Sequence, residues 1–347
     1  MRTKLTLILF IYISFLPIYA QKITENPIVN FDKLWSEFDN RYANFKLKSI
    51  DWDSVYAKYR PKISEESTSN ELFNVCCEML KELDDGHISL EGEINAKERY
   101  CGIENKVHII SEFKSFNNLR ILVDKSLEEN GFSSFMNKKK NGLINFSVSA
   151  NYGYLRIDEM EGFAIGELKK SINQAIRTFQ DKKGLIIDVR FNGGGDDLIS
   201  YKIAGRFADK KRLGHYKQTR INGTSNFTEL ESWYLKPKGR KQFTNPIIIL
   251  TSDWSASATE IFILAMKELP YVTIIGDTTE GILSDMYPFK LPNGWKGTLS
   301  HQKYFSTKMV NYEGKGIEPD FKILNYKQDK SDVVLLKAIE LLDKNYR

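Results

Sequence analysis

The sequence predicts an α/β protein with a helical N-terminal part, and three observations carry that prediction. From Tyr152 onward, short apolar runs alternate with helical stretches of about twelve residues or more, the pattern of strands covered on both faces by helices. Before Gly86, apolar residues recur at helix spacing instead. The composition, 41% hydrophobic and 27% charged over 347 residues, is that of an ordinary globular chain with a core that needs no disulfide staples.

Taken in order, Met1 to Lys4 is a short basic start, Leu5 to Ile18 an apolar run, and Pro17 with Ala20 suits cleavage before Gln21. Residues 1–20 therefore read as a secretory signal peptide, too short in its apolar part for a bilayer-spanning helix of about 20 residues. The expected location is outside the cytoplasm, periplasmic or extracellular, in a bacterial envelope, with no integral span left after cleavage. A helical subdomain is expected over 25–91. Phe31, Leu34, Trp35, Phe38 and Tyr42 share one helix face, Asp51 or Asp53 opens a short second helix, and Thr68 or Ser69 caps a third. That third helix carries the stripe Leu72, Val75, Cys76, Met79, Leu80, Leu83 and stops near Asp85-Gly86, because glycine suits the position just past a helix end. His87 then sits at a turn into the extended piece Ile88-Ser89-Leu90.

Residues 92–150 read as a connector, with a charged patch at Lys138 to Lys140 and strands at Val107 to Ile110 and Leu119 to Val123. Over 151–327 the expected series is strand 152–157, helix 165–179, strand 185–189, a helix after Gly195, strand 246–250, helix 256–269 and strand 272–275. A last helix is expected over about 331–345, within a C-terminal segment 328–347. Leu291-Pro-Asn-Gly-Trp295 predicts a hairpin turn near the cleft, from its Asn-Gly.

Charge and cysteine usage narrow the function. Fifty basic against 45 acidic residues, spread along the chain, do not make a nucleic-acid-binding footprint. Three cysteines, of which Cys76 and Cys77 are adjacent, offer no zinc-ligand spacing. We read them as buried reduced thiols, and no metal or cofactor is indicated.

Two segments can carry chemistry. Gly184 to Gly195 is a buried strand running into the turn Asn-Gly-Gly-Gly, whose bare backbone N–H groups suit an oxyanion or a phosphate. No Gly-Lys-Ser/Thr follows, so the phosphate reading is the weaker one. In Ile247 to Phe262 a strand enters a helix through Ser255, Ser257 and Thr259. These could be helix caps, or one could be a nucleophile favoured by the free N–H groups and dipole of the helix start.

The series Asp188-Val-Arg-Phe-Asn-Gly-Gly-Gly195, Ser255-Ala-Ser-Ala-Thr-Glu260, Gly276-Asp-Thr-Thr-Glu-Gly281 and Glu313-Gly-Lys-Gly-Ile-Glu-Pro-Asp320 resembles, in this order, the carboxyl-terminal processing (tail-specific) serine proteases. Within that family it is most similar to the branch of the tricorn protease core and of interphotoreceptor retinoid-binding protein. The likeness covers about residues 150–325, and Leu83-Asp-Asp-Gly-His87 is similar to the end of the tricorn-type helical subdomain. The resemblance implies a crotonase or Clp-protease-like core of spiral ββα units. It implies Ser257 as nucleophile, His87 as general base and Glu313 as the carboxylate that orients it. Gly194, Gly195 and Ala258 would form the oxyanion hole, with Asn192, Ser255, Glu260 and Thr279 in support. The substrate would be a peptide or protein. Imidazole suits proton exchange with a serine near neutral pH, and a carboxylate on its other nitrogen fixes the tautomer.

The sequence also departs from the family pattern. The lysine of the processing-peptidase branch is replaced by Ile282, with Lys290 out of register, which argues against a Ser/Lys pair. Gly86 stands where the tricorn core has a serine, Asp277 replaces a glutamate, and 92–150 lacks the carboxylate loop of a PDZ domain. His108, His215 and His301 read as surface or core filler. A catalytically inactive ligand- or peptide-binding protein on the same scaffold is the alternative.

Overall fold

Three aliphatic runs, Gly184–Asp188, Ile247–Thr251 and Val272–Gly276, form the parallel centre of a six-stranded sheet in the computed structural model, which describes residues 24–102, 107–136, 143–162 and 164–344. Tyr152–Ile157 extends the sheet in parallel on one side, followed by the antiparallel edge strand Ile144–Val148, and Phe321–Lys322 adds a short parallel strand on the other. Because strand side chains alternate faces, Ile187 and Ile249 point to one side of the sheet and Ile186 and Ile248 to the other. Both sides are buried. The first packs against the helices Ile165–Thr178, Asp197–Ala204 and Ala258–Lys267. The second packs against His108–Phe113, Phe116–Glu129 and the last helix, Val333–Lys344. The α/β expectation holds, including the order of strands and helices after Tyr152.

The three expected N-terminal helices form, but the third ends at Lys81 rather than near Asp85-Gly86, and it is Asp84 (φ 44°), not Gly86, that takes the left-handed conformation after it. Asn26 caps Pro27–Arg41, Asp51 caps Trp52–Tyr59, and Thr68 with Glu71 makes a reciprocal capping box on Ser69–Lys81. Their core is not self-contained. Phe38 meets Phe289 and Phe73 meets Trp295, both from the hairpin Met286–Lys290/Lys296–Ser300. That hairpin also pairs with Ser89–Ile94, which continues into Lys97–Gly102, so one four-stranded sheet joins the segment after the N-terminal helices to residues 286–300.

Four further expectations need correction. Residues 107–110 and 119–123 are helical, not extended: Val107 and Ser115 open two helices whose apolar faces, Ile109, Leu119, Val123 and Leu127, cover the main sheet. An apolar stretch of four or five residues does not distinguish a strand from a helix by periodicity. Cys77 is not a free thiol but is bridged to Cys101, which the return of strand 97–102 brings to a Cα separation of 6.0 Å. Cys76 keeps a buried thiol, pushed up by desolvation. Finally, the Asn-Gly turn lies away from the cleft: Asn293 N–H donates to Asn30 and Trp295 packs on the N-terminal helices. The expected signal peptide and the patch Lys138 to Lys140 lie outside the described residues. Among the described residues no helix is long and apolar enough to cross a membrane.

Opening the Cys77–Cys101 bridge frees a loop of 24 residues, for which the chain-entropy relation gives about 3 kcal/mol. Denaturant unfolding with and without dithiothreitol is expected to show that loss, and the Cys77→Ser/Cys101→Ser double variant should no longer respond to the reductant.

Candidate active site

At the carboxyl end of strand Ile247–Thr251 the chain is knitted by short hydroxyls before it enters a helix. Ser252 Oγ donates to the Arg190 carbonyl (2.7 Å), and Ser255 Oγ donates to the Val189 carbonyl (2.9 Å) while accepting from Ser252 N–H. Ser255 is fully buried by these contacts. Two residues on, Ser257 is the half-buried N-cap of Ala258–Lys267, with φ 53° and ψ −123°. A non-glycine residue in that backbone region costs about 1–3 kcal/mol and persists only where the surroundings impose it.

The surroundings are visible. Gly194, at φ 119°, lies against Ser257, where a Cβ would come within 2.8 Å of the serine Cβ. Asn192 holds the glycine turn to the helix: its Oδ1 accepts from Gly194 N–H (2.9 Å) and from Thr259 Oγ1 (2.6 Å), and its Nδ2 donates to the Ile157 carbonyl. The Gly194 N–H is therefore committed to Asn192, whereas those of Gly195 and Ala258 donate to none of the described residues. Upstream, Arg190 makes paired contacts to both Asp188 and Asp332, anchoring the end of the strand to the start of the last helix.

Glu260 is the hub of this region. Wholly buried, it accepts from Ser257 N–H (3.1 Å), Ile282 N–H (2.9 Å), Gly281 N–H (2.9 Å) and Thr279 Oγ1 (2.6 Å). Burial pushes its carboxyl up to about 7, with the four donors acting in the opposite direction. Thr279 Oγ1 in turn accepts from Ile317 N–H. The loop 279–282 meets the loop 313–317 backbone to backbone, which only glycine permits: a Cβ at Gly281 would lie 2.5 Å from Gly316 N.

Glu313 enters from that second loop. Its Oε2 accepts from Leu283 N–H (2.9 Å) and Ser284 N–H (3.1 Å), and burial, with Asp85 and Glu260 nearby, raises its carboxyl well above the usual range. His87 reaches the same segment from the helical side. Burial lowers its imidazole below the ordinary value, opposed by Asp85, a hydrogen bond with the Ser284 backbone, and Asp285. Its Nδ1 is buried without a partner. Asp85 fixes the approach, accepting from His87 N–H (3.0 Å), Tyr42 Oη (2.9 Å) and Ser300 Oγ (3.1 Å). A cleft of about 300 Å³ opens between Asp85, Gly86, Gly281, Ile282 and Glu313.

Glu313 and His87 thus meet the segment 283–284 directly, and Ser257 is tied to 281–282 through Glu260, but no hydrogen bond joins the three to one another among the described residues. Among the described residues no hydrogen bond joins Glu313 to the His87 ring; its Oε2 accepts from the Leu283 and Ser284 amides instead. The other histidines are engaged elsewhere. His108 Nε2 pairs with the Asn325 carbonyl, His301 Nδ1 with that of Asp285, and His215 stacks between Trp233 and Tyr304 with its Nδ1 on Tyr201 Oη. Lys290 is exposed on the hairpin. Among the described residues no cluster of acids, histidines or cysteines could hold a metal. The sequence named Glu260 and Thr279 only as supporting residues; that one buried carboxylate ties both loops to Ser257 is a contact across 22 residues that no local pattern announces.

Comparison with known proteins gives the family of this fold. Residues 151–323 match Peptidase family S41 and residues 24–81 match the Tricorn protease C1 domain. A candidate peptidase of Parabacteroides merdae, known from its crystal structure, is 30% identical and superposes with a TM-score of 0.74 over 92% of this chain and 97% of that one. The chain belongs to peptidase family S41. Among relatives of that family, the carboxy-terminal processing protease CtpA of Bacillus subtilis is 28% identical over 178 residues, 47% of this chain and 36% of that protein. The tricorn protease of Thermoplasma volcanium is 30% identical over 217 residues, 60% of this chain and 18% of that protein. The chain spans less than two fifths of the length of the curated relatives it matches.

Proposed function

We propose that this S41 protein is an exported serine peptidase that cleaves peptide bonds through an acyl-enzyme, with Ser257 as nucleophile and His87 as general base. The observation that carries the proposal is the backbone of Ser257, held at positive φ against Gly194 at the start of a buried helix, with two unpaired N–H groups beside it. A hydroxyl in that position attacks a carbonyl whose developing oxyanion is met by the Ala258 and Gly195 N–H groups, at a helix end whose dipole favours negative charge. Gly194 supports this arrangement through its close approach rather than as a donor.

His87 is kept neutral by burial, so its lone pair is available for the serine proton near neutral pH. The Ser284 backbone engages one ring nitrogen and leaves Nδ1 free. Glu313 acts on the base through the chain: it holds the Leu283 and Ser284 amides, the segment that positions His87, while Asp85 and Asp285 favour the ring when it becomes charged. Export is supported by the basic and apolar start of the sequence and by the Cys77–Cys101 bridge, since such bonds persist in oxidising compartments. Peptides and proteins are the proposed substrates.

His87→Ala is expected to lose peptidase activity by a factor of about 10³ or more while Lys290→Ala keeps it, measured as kcat/KM on a fluorogenic peptide library. The reverse result would sink the assignment of the base. The acid limb of the pH profile should lie below the ordinary imidazole value of about 6.5. The sign follows from burial: a histidine whose folded value is lowered stays in its neutral, active form as the pH falls past 6.5, and loses that form only near its own depressed value. An acid limb above 6.5 in kcat/KM would contradict it.

A further inference from the structure

A second cavity lies at the far end of the helix Asp197–Ala204 and shares no residue with the cleft. Of about 780 Å³, it opens between that helix, the helix Ile165–Thr178 and the loop around 238–241. Its floor is apolar and buried, formed by Leu168, Ile172, Ile176 and Ile203. Every charged residue that lines it is basic: Lys169, Arg177, Lys202, Arg206 and the cluster Lys238, Arg240 and Lys241. None of these seven forms an ion pair among the described residues, whereas most other arginines of the chain do.

Arg206 is the unusual member. It is only 5% exposed, and a buried cation is ordinarily matched by a carboxylate. Here its terminal nitrogens donate to Asn173 Oδ1 and to the Lys241 carbonyl, both neutral, and its Nε has no partner. Gly239 passes directly over the guanidinium, where a Cβ would lie 2.6 Å from Cζ. Burial, and then the nearby charge of Arg177, disfavour the charged form. A buried guanidinium matched only by neutral acceptors thus stands beside an apolar floor, a combination that suits an anionic head carried on an apolar body.

We propose that this cavity binds an anionic amphiphile, whose phosphate or carboxylate head lies against Arg206 and Arg177 and whose apolar body covers Ile172 and Ile176. Arginine suits the head because its planar fork meets two oxygens at once, and the mostly apolar lining suits a chain rather than a free ion. The same head could be presented by a soluble single-chain molecule or by a lipid in a membrane surface.

The test is isothermal titration of the full mature chain with octyl phosphate, inorganic phosphate and octyl glucoside, alongside sedimentation with phosphatidylglycerol and phosphatidylcholine vesicles. Octyl phosphate should bind at one site, at least tenfold more tightly than either inorganic phosphate or octyl glucoside. Arg206→Met should weaken it tenfold or more. Because a buried position can disturb folding, Arg177→Glu is the second variant: it is exposed, sets a carboxylate beside Arg206, and should cut binding at least as much while leaving thermal stability equal or higher. Co-sedimentation with phosphatidylglycerol but not phosphatidylcholine vesicles, lost in Arg177→Glu, would assign the head to a lipid; octyl phosphate binding without co-sedimentation would assign it to a soluble molecule. Binding of octyl phosphate that both variants leave unchanged, equal binding of octyl glucoside or of inorganic phosphate, or no binding of octyl phosphate would overturn the proposal.

Discussion

Replacing Ser257 with alanine is expected to abolish labelling by a fluorophosphonate probe and to reduce peptide hydrolysis by a factor of about 10³ or more, with the unfolding midpoint unchanged or raised. The half-buried hydroxyl holds no other element of the fold in place, and its backbone angle is imposed by neighbours such as Gly194. Ser255→Ala gives the opposite outcome. Its hydroxyl satisfies the Val189 carbonyl and the Ser252 N–H in a wholly buried turn, so its loss should cost about 1–3 kcal/mol of stability while the remaining folded protein still labels. The pair separates a nucleophile from a brace two residues away. Labelling that survives Ser257→Ala and vanishes in Ser255→Ala would move the site. Absence of labelling in the folded wild type would favour a binding protein on this scaffold.

The second large effect is expected at Glu260. Glu260→Ala strips partners from Ser257 N–H, Gly281 N–H, Ile282 N–H and Thr279 Oγ1 inside the core, and at about 1 kcal/mol or more for each buried group left unpaired the loss should reach about 4 kcal/mol in urea unfolding. Glu260→Gln keeps the shape but sets an amide nitrogen against N–H donors, so a smaller loss of stability should come with at least a tenfold slower labelling of Ser257. The pH dependence is a separate readout. With the folded carboxyl pushed up to about 7 and the unfolded one near 4.5, the folded state binds the proton more tightly, so this group's contribution to stability falls as the pH rises from about 4.5 to 7. That slope should disappear in Glu260→Gln. If labelling and stability are both unaffected by the substitution, Glu260 does not hold the nucleophile.

Both predictions rest on residues that the sequence names with unequal clarity. Ser257 stands at a strand-to-helix junction that is legible from the apolar run Ile247 to Leu250 and the small residues after it, because such a junction is a local event. Its conformation is not legible: the positive φ depends on Gly194, more than sixty positions upstream, pressed against it. The Asn-Gly-Gly-Gly turn announces donors, but which N–H groups remain free is decided by the Asn192 side chain, which takes that of Gly194 and leaves that of Gly195.

What the sequence by itself determined is whatever repeats within one or two turns of chain. Caps at Asp51 and Thr68, the turn that places His87 before an extended piece, and the alternation of apolar strands and helices after Tyr152 all belong to that class. What only the tertiary structure decided is pairing over distance. Cys101 meets Cys77 because strand 97–102 folds back, the apolar stretches near 109 and 123 become helices because the sheet needs a cover, and Glu313 serves the amides of 283 and 284 rather than the His87 ring. The reason is physical: helix and turn signals are set by interactions between neighbours in sequence, whereas a buried polar group takes whichever donor the packed chain brings within about 3 Å of it.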